Sequence, residues 1–142
     1  MTPAHHPPLV LYATPDEYRR HFVRVYCRRA VVTFDGLDVR FRQEQFDHAF
    51  FESVQTKDDT FSKKRAERID WIAAALQDGT AELYVGWDNT KKKLTPGRRV
   101  CIVFGDYVVV IRIAGHSKAF FITAYVADQG TLAKIRSGPR LK

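Results

Sequence analysis

At 142 residues, 45% hydrophobic and 13% aromatic, the chain is sized for one domain with a buried core, which excludes wholesale disorder. No apolar run approaches the ~18 to 20 residues that span a bilayer, and the opening residues lack the charged and apolar regions of a signal peptide, so a cytoplasmic protein with no membrane partner is expected. The formal net charge of +7 is unevenly placed: residues 1–88 hold 12 Lys/Arg against 14 Asp/Glu, whereas residues 89–142 hold 11 against 2, an asymmetry that favours a polyanionic partner, nucleic acid first.

Residues 1–13 are proline-rich, lack periodicity and read as an irregular arm. Thr14-Pro15-Asp16-Glu17 supplies an N-cap, a proline at the first helical position and a capping-box glutamate, which opens a helix over 15–28. Asp35-Gly36 is a two-residue turn signal between strands 31–34 and 37–41, a small hairpin. Residues 43–53 suit a short helix, and a longer one over 62–77 carries Ala66, Ile69, Ile72, Ala73 and Leu76 on one stripe before Asp78-Gly79 ends it. The period then changes to two, over 81–87, 99–104, 107–113 and 119–126, with tight connections at Gly105-Asp106 and at 115–118. A last short helix covers 130–136.

Helices that precede a sheet predict a single α+β domain, with the N-terminal helices packed on one face of a four-stranded antiparallel meander. The other face, or an edge, is left for function. Cys27 and Cys101 stand in apolar contexts with no metal-ligand spacing and read as reduced core thiols, so neither a metal nor a cofactor is expected.

Four places could carry chemistry or bind a phosphate backbone. His48 sits among Phe46, Phe50 and Phe51 on the short helix, and an imidazole can take and return protons near neutral pH; a helix-surface histidine held by a carbonyl is the plain alternative. Ser62-Lys63-Lys64-Arg65 falls at the start of the long helix, where Ser62 can cap and free N–H groups can hold a phosphate, with Arg68 and Trp71 extending a phosphate-plus-base surface. A solvated charged face and a core tryptophan explain the same residues without a ligand. In the last strand, alternation places Phe121, Thr123 and Tyr125 on one face and Phe120, Ile122, Ala124 and Val126 on the core face, so that Thr123 and Tyr125 can donate to phosphate oxygens. Lys91, Lys92, Lys93, Arg98 and Arg99 bracket a basic loop able to track a nucleic-acid backbone, or merely to keep the protein soluble.

The order of these parts, a helix bearing His48, a basic helix start at Lys63-Lys64-Arg65 and a four-stranded sheet ending in Thr123-Ala124-Tyr125, resembles the barnase/EndoU/colicin/RelE-like nucleases, in particular their phage- and mobile-element-associated branch. The resemblance covers residues 43–128, with 1–42 and the tail after 128 outside it. It implies a compact, metal-independent endoribonuclease, often a toxin or effector with an antitoxin or immunity partner, that cuts RNA, tRNA included, by 2′-hydroxyl attack to leave a 2′,3′-cyclic phosphate. His48 is then the base, Arg65 or a neighbouring lysine the cation, and Thr123 with Tyr125 the polar pair of the last strand. A non-catalytic nucleic-acid-binding module and a protein-interaction or inhibitor protein that docks through its Phe46 to Phe51 segment are the alternatives.

Overall fold

A computed structural model describes residues 6–88, 93–94 and 99–141, with 87, 88, 93 and 94 described by backbone only. The first helix, α1 (Pro15–Phe22), begins in the expected capping box: Thr14 Oγ1 accepts from the Glu17 N–H, and Glu17 Oε1 accepts from the Thr14 N–H at 3.2 Å. It does not continue as α-helix to residue 28 but widens into a π-helical turn over Val23–Cys27. That wider turn keeps Tyr26 in line with Tyr18 and Phe22, and all three are buried. Tyr26 reaches α4 (Ile69–Gln77), where its hydroxyl donates to the Ile69 carbonyl at 2.6 Å and accepts from the Ala73 N–H at 3.1 Å.

The sheet differs from the expected four-stranded meander. Strands β1 (Val31–Val32), β2 (Asp38–Arg40), β5 (Glu82–Val85), β8 (Arg99–Phe104), β9 (Tyr107–Ala114) and β10 (Lys118–Val126) form one six-stranded sheet in the order β1-β2-β10-β9-β8-β5. Every pairing is antiparallel except that of β2 with β10, which is parallel and makes the sheet mixed. The hairpin turns at Gly36, whose φ of +92° suits a residue without a side chain, and it does not stand apart. Val39 is fully buried, so β2 can cover its apolar side only by joining the core, and the free edge of β10 offers the backbone partners. Two short ribbons lie outside this sheet: β3 (Phe51–Glu52) with β4 (Thr60–Phe61), and β6 (Trp87–Asp88) with β7 (Lys93–Leu94).

The helices occupy both faces of the sheet, not one. On the first face, α1, α2 (Gln45–Phe50), α3 (Lys63–Ala66) and α4 close an aromatic core in which the Phe22 ring lies about 6 Å from each of Tyr26, Phe41, Phe46, Phe50 and Phe121. On the second face, α5 (Gln129–Arg136) lays Leu132 and Ile135 against Tyr84, Cys101, Val103, Val108 and Val110. The helix expected over 62–77 is in fact α3 and α4, because Arg68 leaves helical geometry (φ −98°, ψ 20°) and its guanidinium satisfies the Lys64 carbonyl at 2.6 Å. The apolar stripe survives the break, with Ala66, Ile69, Ile72 and Leu76 all buried.

The described residues at 6–10 and 139–141 are tied to the fold. Trp71 Nε1 donates to the Pro7 carbonyl at 2.7 Å, the Val10 N–H donates to the Glu67 carbonyl at 2.8 Å, and the His6 ring packs between Trp71 and Phe104. At the other end, Pro139 accepts from the Val85 N–H and the Leu141 N–H donates to the Leu83 carbonyl, which covers the outer edge of β5. Among the described residues no helix is long and apolar enough to cross a membrane.

Candidate functional site

Strand β10 carries the site, and an irregularity in it decides which side chains face which way. Phe121 is opposite Ile111 on β9, yet Thr123 is opposite Val110, so Ile122 is an extra residue that the partner strand does not match. A bulge of this kind re-aims side chains on either side of it. Phe121 therefore turns into the aromatic core with Ala124, while Ile122 and Tyr125 pack on the second face. The simple alternation that grouped Phe121 with Thr123 and Tyr125, and Phe120 and Ile122 with the core, is corrected by this one inserted position.

Beside the bulge, between the sheet and the flank of α5, lies a cavity of about 530 Å³ lined by His48, Arg99, Cys101, Thr123, Tyr125, Thr131 and Lys134 among others. His48 comes from α2, which packs on β10, where β2 pairs only as far as Phe120. Three of the four residues expected to do chemistry, His48, Thr123 and Tyr125, thus meet at one cavity although two chain segments separate them. The fourth, Arg65, does not line it. Its guanidinium stands 6.0 Å from the Tyr125 ring, donates to the Ala49 carbonyl at 3.4 Å and lies 3.8 Å from Glu52. The cations on the wall itself are Arg99, from the start of β8, and the exposed Lys134 of α5.

The loop over 53–59 sets the surroundings of His48. The Asp59 carboxylate accepts from the N–H groups of Val54, Gln55 and Thr56, each at 2.9 Å, and these bonds hold it well below the usual carboxylate range. The turn they tie forces Asp58 into the left-handed region (φ 52°), one that aspartate tolerates. Asp58 Oδ2 then sits 3.7 Å from His48 Nδ1, too far for a hydrogen bond but close enough to attract an imidazolium. His48 keeps a 44% exposed side chain and so stays open to a ligand.

Burial governs the two other titratable groups of the wall. The Tyr125 phenol is pushed up to about 12 mainly by desolvation, with Cys101 adding to the rise and Arg65 opposing it. The Cys101 thiol is likewise pushed up to about 11 by burial, against the pull of Arg99. At neutral pH both are protonated: Tyr125 is a hydrogen-bond donor, and Cys101 is no thiolate nucleophile.

The expected phosphate surface on α3 and α4 takes a different form. Ser62 does cap α3, accepting from the Arg65 N–H at 3.3 Å, but it is buried, and a helix of four residues has little dipole to offer. Lys63 and Lys64 are exposed and pair with no carboxylate among the described residues. Arg68 is occupied by Lys64, Glu67 and the Trp71 ring. Trp71 is no open stacking platform, being covered by His6 and Pro7 of the arm and edged by Tyr107. Of the basic loop, Arg99 lines the cavity; Lys91, Lys92 and Arg98 lie outside the described residues, as does the side chain of Lys93.

Sequence reasoning missed Asp58, Thr131 and Lys134. A three-residue step from Thr131 to Lys134 puts both on one side of a helix, which is a readable signal, whereas the turn that aims Asp58 has none beyond its acidic run. Comparison with protein-family models, with curated proteins and with solved structures returns no match for this chain.

Proposed function

We propose that the chain is a metal-independent endoribonuclease whose active site is the cavity beside the β10 bulge. The observation that carries the reading is the meeting there of an imidazole with a carboxylate behind it, two hydroxyl donors and two cations, a set suited to in-line attack on a phosphodiester. His48 removes the proton from the ribose 2′-hydroxyl, and the oxygen attacks the adjacent phosphorus. Asp58 holds the imidazolium that results, as a carboxylate does behind a catalytic histidine elsewhere.

Arg99 and Lys134 offset the charge that grows on the phosphorane, and Tyr125 and Thr123 donate to its non-bridging oxygens. Tyr125 suits this role because its phenol stays protonated at working pH. Arg65, behind the Tyr125 ring, positions that ring. The 5′-oxygen departs as a hydroxyl, taking a proton from solvent while the His48 imidazolium returns its own to solvent, and leaves a 2′,3′-cyclic phosphate, the outcome that the resemblance to the barnase/EndoU/colicin/RelE-like nucleases also implies; RNA is the partner. An antitoxin or immunity protein is a further partner that this class suggests.

The test is incubation of total RNA and tRNA with the protein in EDTA, run beside His48→Ala. The reading expects cleavage that EDTA leaves intact and that His48→Ala slows about 10²- to 10⁴-fold. Full cleavage by His48→Ala, or activity that vanishes in EDTA and returns with a divalent ion, would overturn it.

A further inference from the structure

Leading away from the cavity, the second face of the sheet carries a row of side chains that cross-strand register brings into line. Arg99 on β8 is opposite Arg112 on β9, Arg112 is opposite Phe120 on β10, and Phe120 is opposite Arg40 on β2. All four point away from the helical core, since their strand neighbours Val39, Ile111 and Phe121 are buried in it and Arg99 lines the cavity on the far face. Arg42, just past β2, reaches back to the same place: its guanidinium carbon is 4.9 Å from the Phe120 ring centroid, and that of Arg112 is 5.2 Å away. Two arginines thus stand over one half-buried phenylalanine, with Arg40 opposite it in register and Arg99 one strand beyond Arg112.

The arrangement works against the fold. Like charges directly opposite each other on neighbouring strands repel, and Arg99 faces Arg112 in that way. Arg40, Arg42 and Arg112 form no ion pair with any carboxylate among the described residues. The one carboxylate on this face of β2, Asp38, is in the next row, opposite Lys118. Contact with the Phe120 ring instead holds two guanidinium groups, those of Arg42 and Arg112.

We infer that this row is a binding track for single-stranded RNA, feeding the cavity through Arg99, which belongs to both. The arginines grip successive phosphates, and Phe120 provides the apolar ring against which an unpaired base stacks. The row crosses three strand spacings, roughly 14 Å, enough for a few nucleotides. A single strand fits because stacking on a ring set among arginines requires a base free of its complement. The role of the track as a substrate guide rests on the ribonuclease reading, but binding to it does not.

Binding is therefore measured without cleavage, by fluorescence anisotropy of a labelled 2′-O-methyl oligonucleotide pool of randomised sequence, across a range of salt concentrations. The track predicts that the Arg42→Ala/Arg112→Ala variant binds at least about tenfold more weakly, with a salt slope smaller by about 1.4, the loss of two phosphate contacts to a single strand. Phe120→Leu keeps every charge and should weaken binding about 5- to 150-fold. A mapping that needs no variant uses the same pool with 4-thiouridine, whose photocrosslinks should fall on the peptide holding Phe120.

Unchanged affinity and slope in the double variant, crosslinks only elsewhere, or equally tight binding of the same pool annealed to its complement would overturn the inference. Binding with these properties alongside intact RNA would sink the ribonuclease reading and leave the track standing.

Discussion

Tyr125 and Thr123 reach the cavity because Ile122 takes one extra position in β10, and the chemistry assigned to each can be tested without disturbing that geometry. Tyr125→Phe keeps the ring, its packing on the second face and the Arg65 contact, and removes only the phenol. If the phenol donates to the phosphorane, kcat should fall about 10²- to 10³-fold in single-turnover RNA cleavage, with the melting temperature scarcely moved. An unchanged kcat would reduce Tyr125 to a packing residue. The identities of His48, Thr123 and Tyr125 as candidates were legible in the sequence, since few side chains can serve phosphate chemistry. Their neighbours were not. Alternation put Phe120 in the core and Phe121 outside, and the reverse is true because nothing in Phe120-Phe121-Ile122-Thr123 marks the bulge. Arg112 and Arg40 were not legible as members of one surface either, since each is an ordinary strand arginine until register aligns them.

Among the elements, the 53–59 loop links local folding to the site, through the single carboxylate of Asp59. Its folded-state pKa is depressed, so its contribution to stability is fully present above the ordinary carboxylate pKa of about 3.9 and is lost as pH falls from there towards the lower folded value. Asp59→Asn should therefore lower the melting temperature at pH 7 and at pH 5 by the same amount, and the gap between variant and parent should close as pH drops below about 4. A gap that persists undiminished in strong acid would show that the carboxylate charge is not what ties the loop. The variant should also slow RNA cleavage, because Asp58 loses its fixed place beside His48. Boundaries set by capping chemistry were readable: Thr14 with Glu17 opens α1, and Ser62 opens α3. The division of α3 from α4 was not, because the apolar stripe runs through it unbroken and the break depends on where the Arg68 side chain turns.

Over the whole molecule, one aromatic core holds together what the site needs from distant parts of the chain. Phe22 is fully buried among five other aromatic rings that belong to the π-helical turn, to α2, to β10 and to the segment after β2. Phe22→Ala should cost about 3 to 5 kcal/mol in urea unfolding, a large share of the about 5 to 15 kcal/mol that a domain of this kind possesses. A loss below about 1 kcal/mol would mean that the core closes over the cavity and that Phe22 is not its centre. The α+β class followed from the change of period near residue 80. That the hairpin would join the sheet parallel to β10, and that α5 would cover the second face, depends on which edges and faces remain open after the rest has packed, and no local pattern records that.

In the proposed function, the cavity beside the bulge promotes 2′-hydroxyl attack on RNA. It is tested most directly with a DNA oligonucleotide that holds one ribonucleotide, incubated with the protein in EDTA, followed by mass analysis of the new ends. The expected result is a cut on the 3′ side of that ribonucleotide alone, a 2′,3′-cyclic phosphate on one fragment, a 5′-hydroxyl on the other, and no cut when the ribose is 2′-O-methylated. Cleavage that survives the methylation, or fragments that end in a 3′-hydroxyl and a 5′-phosphate, would contradict it.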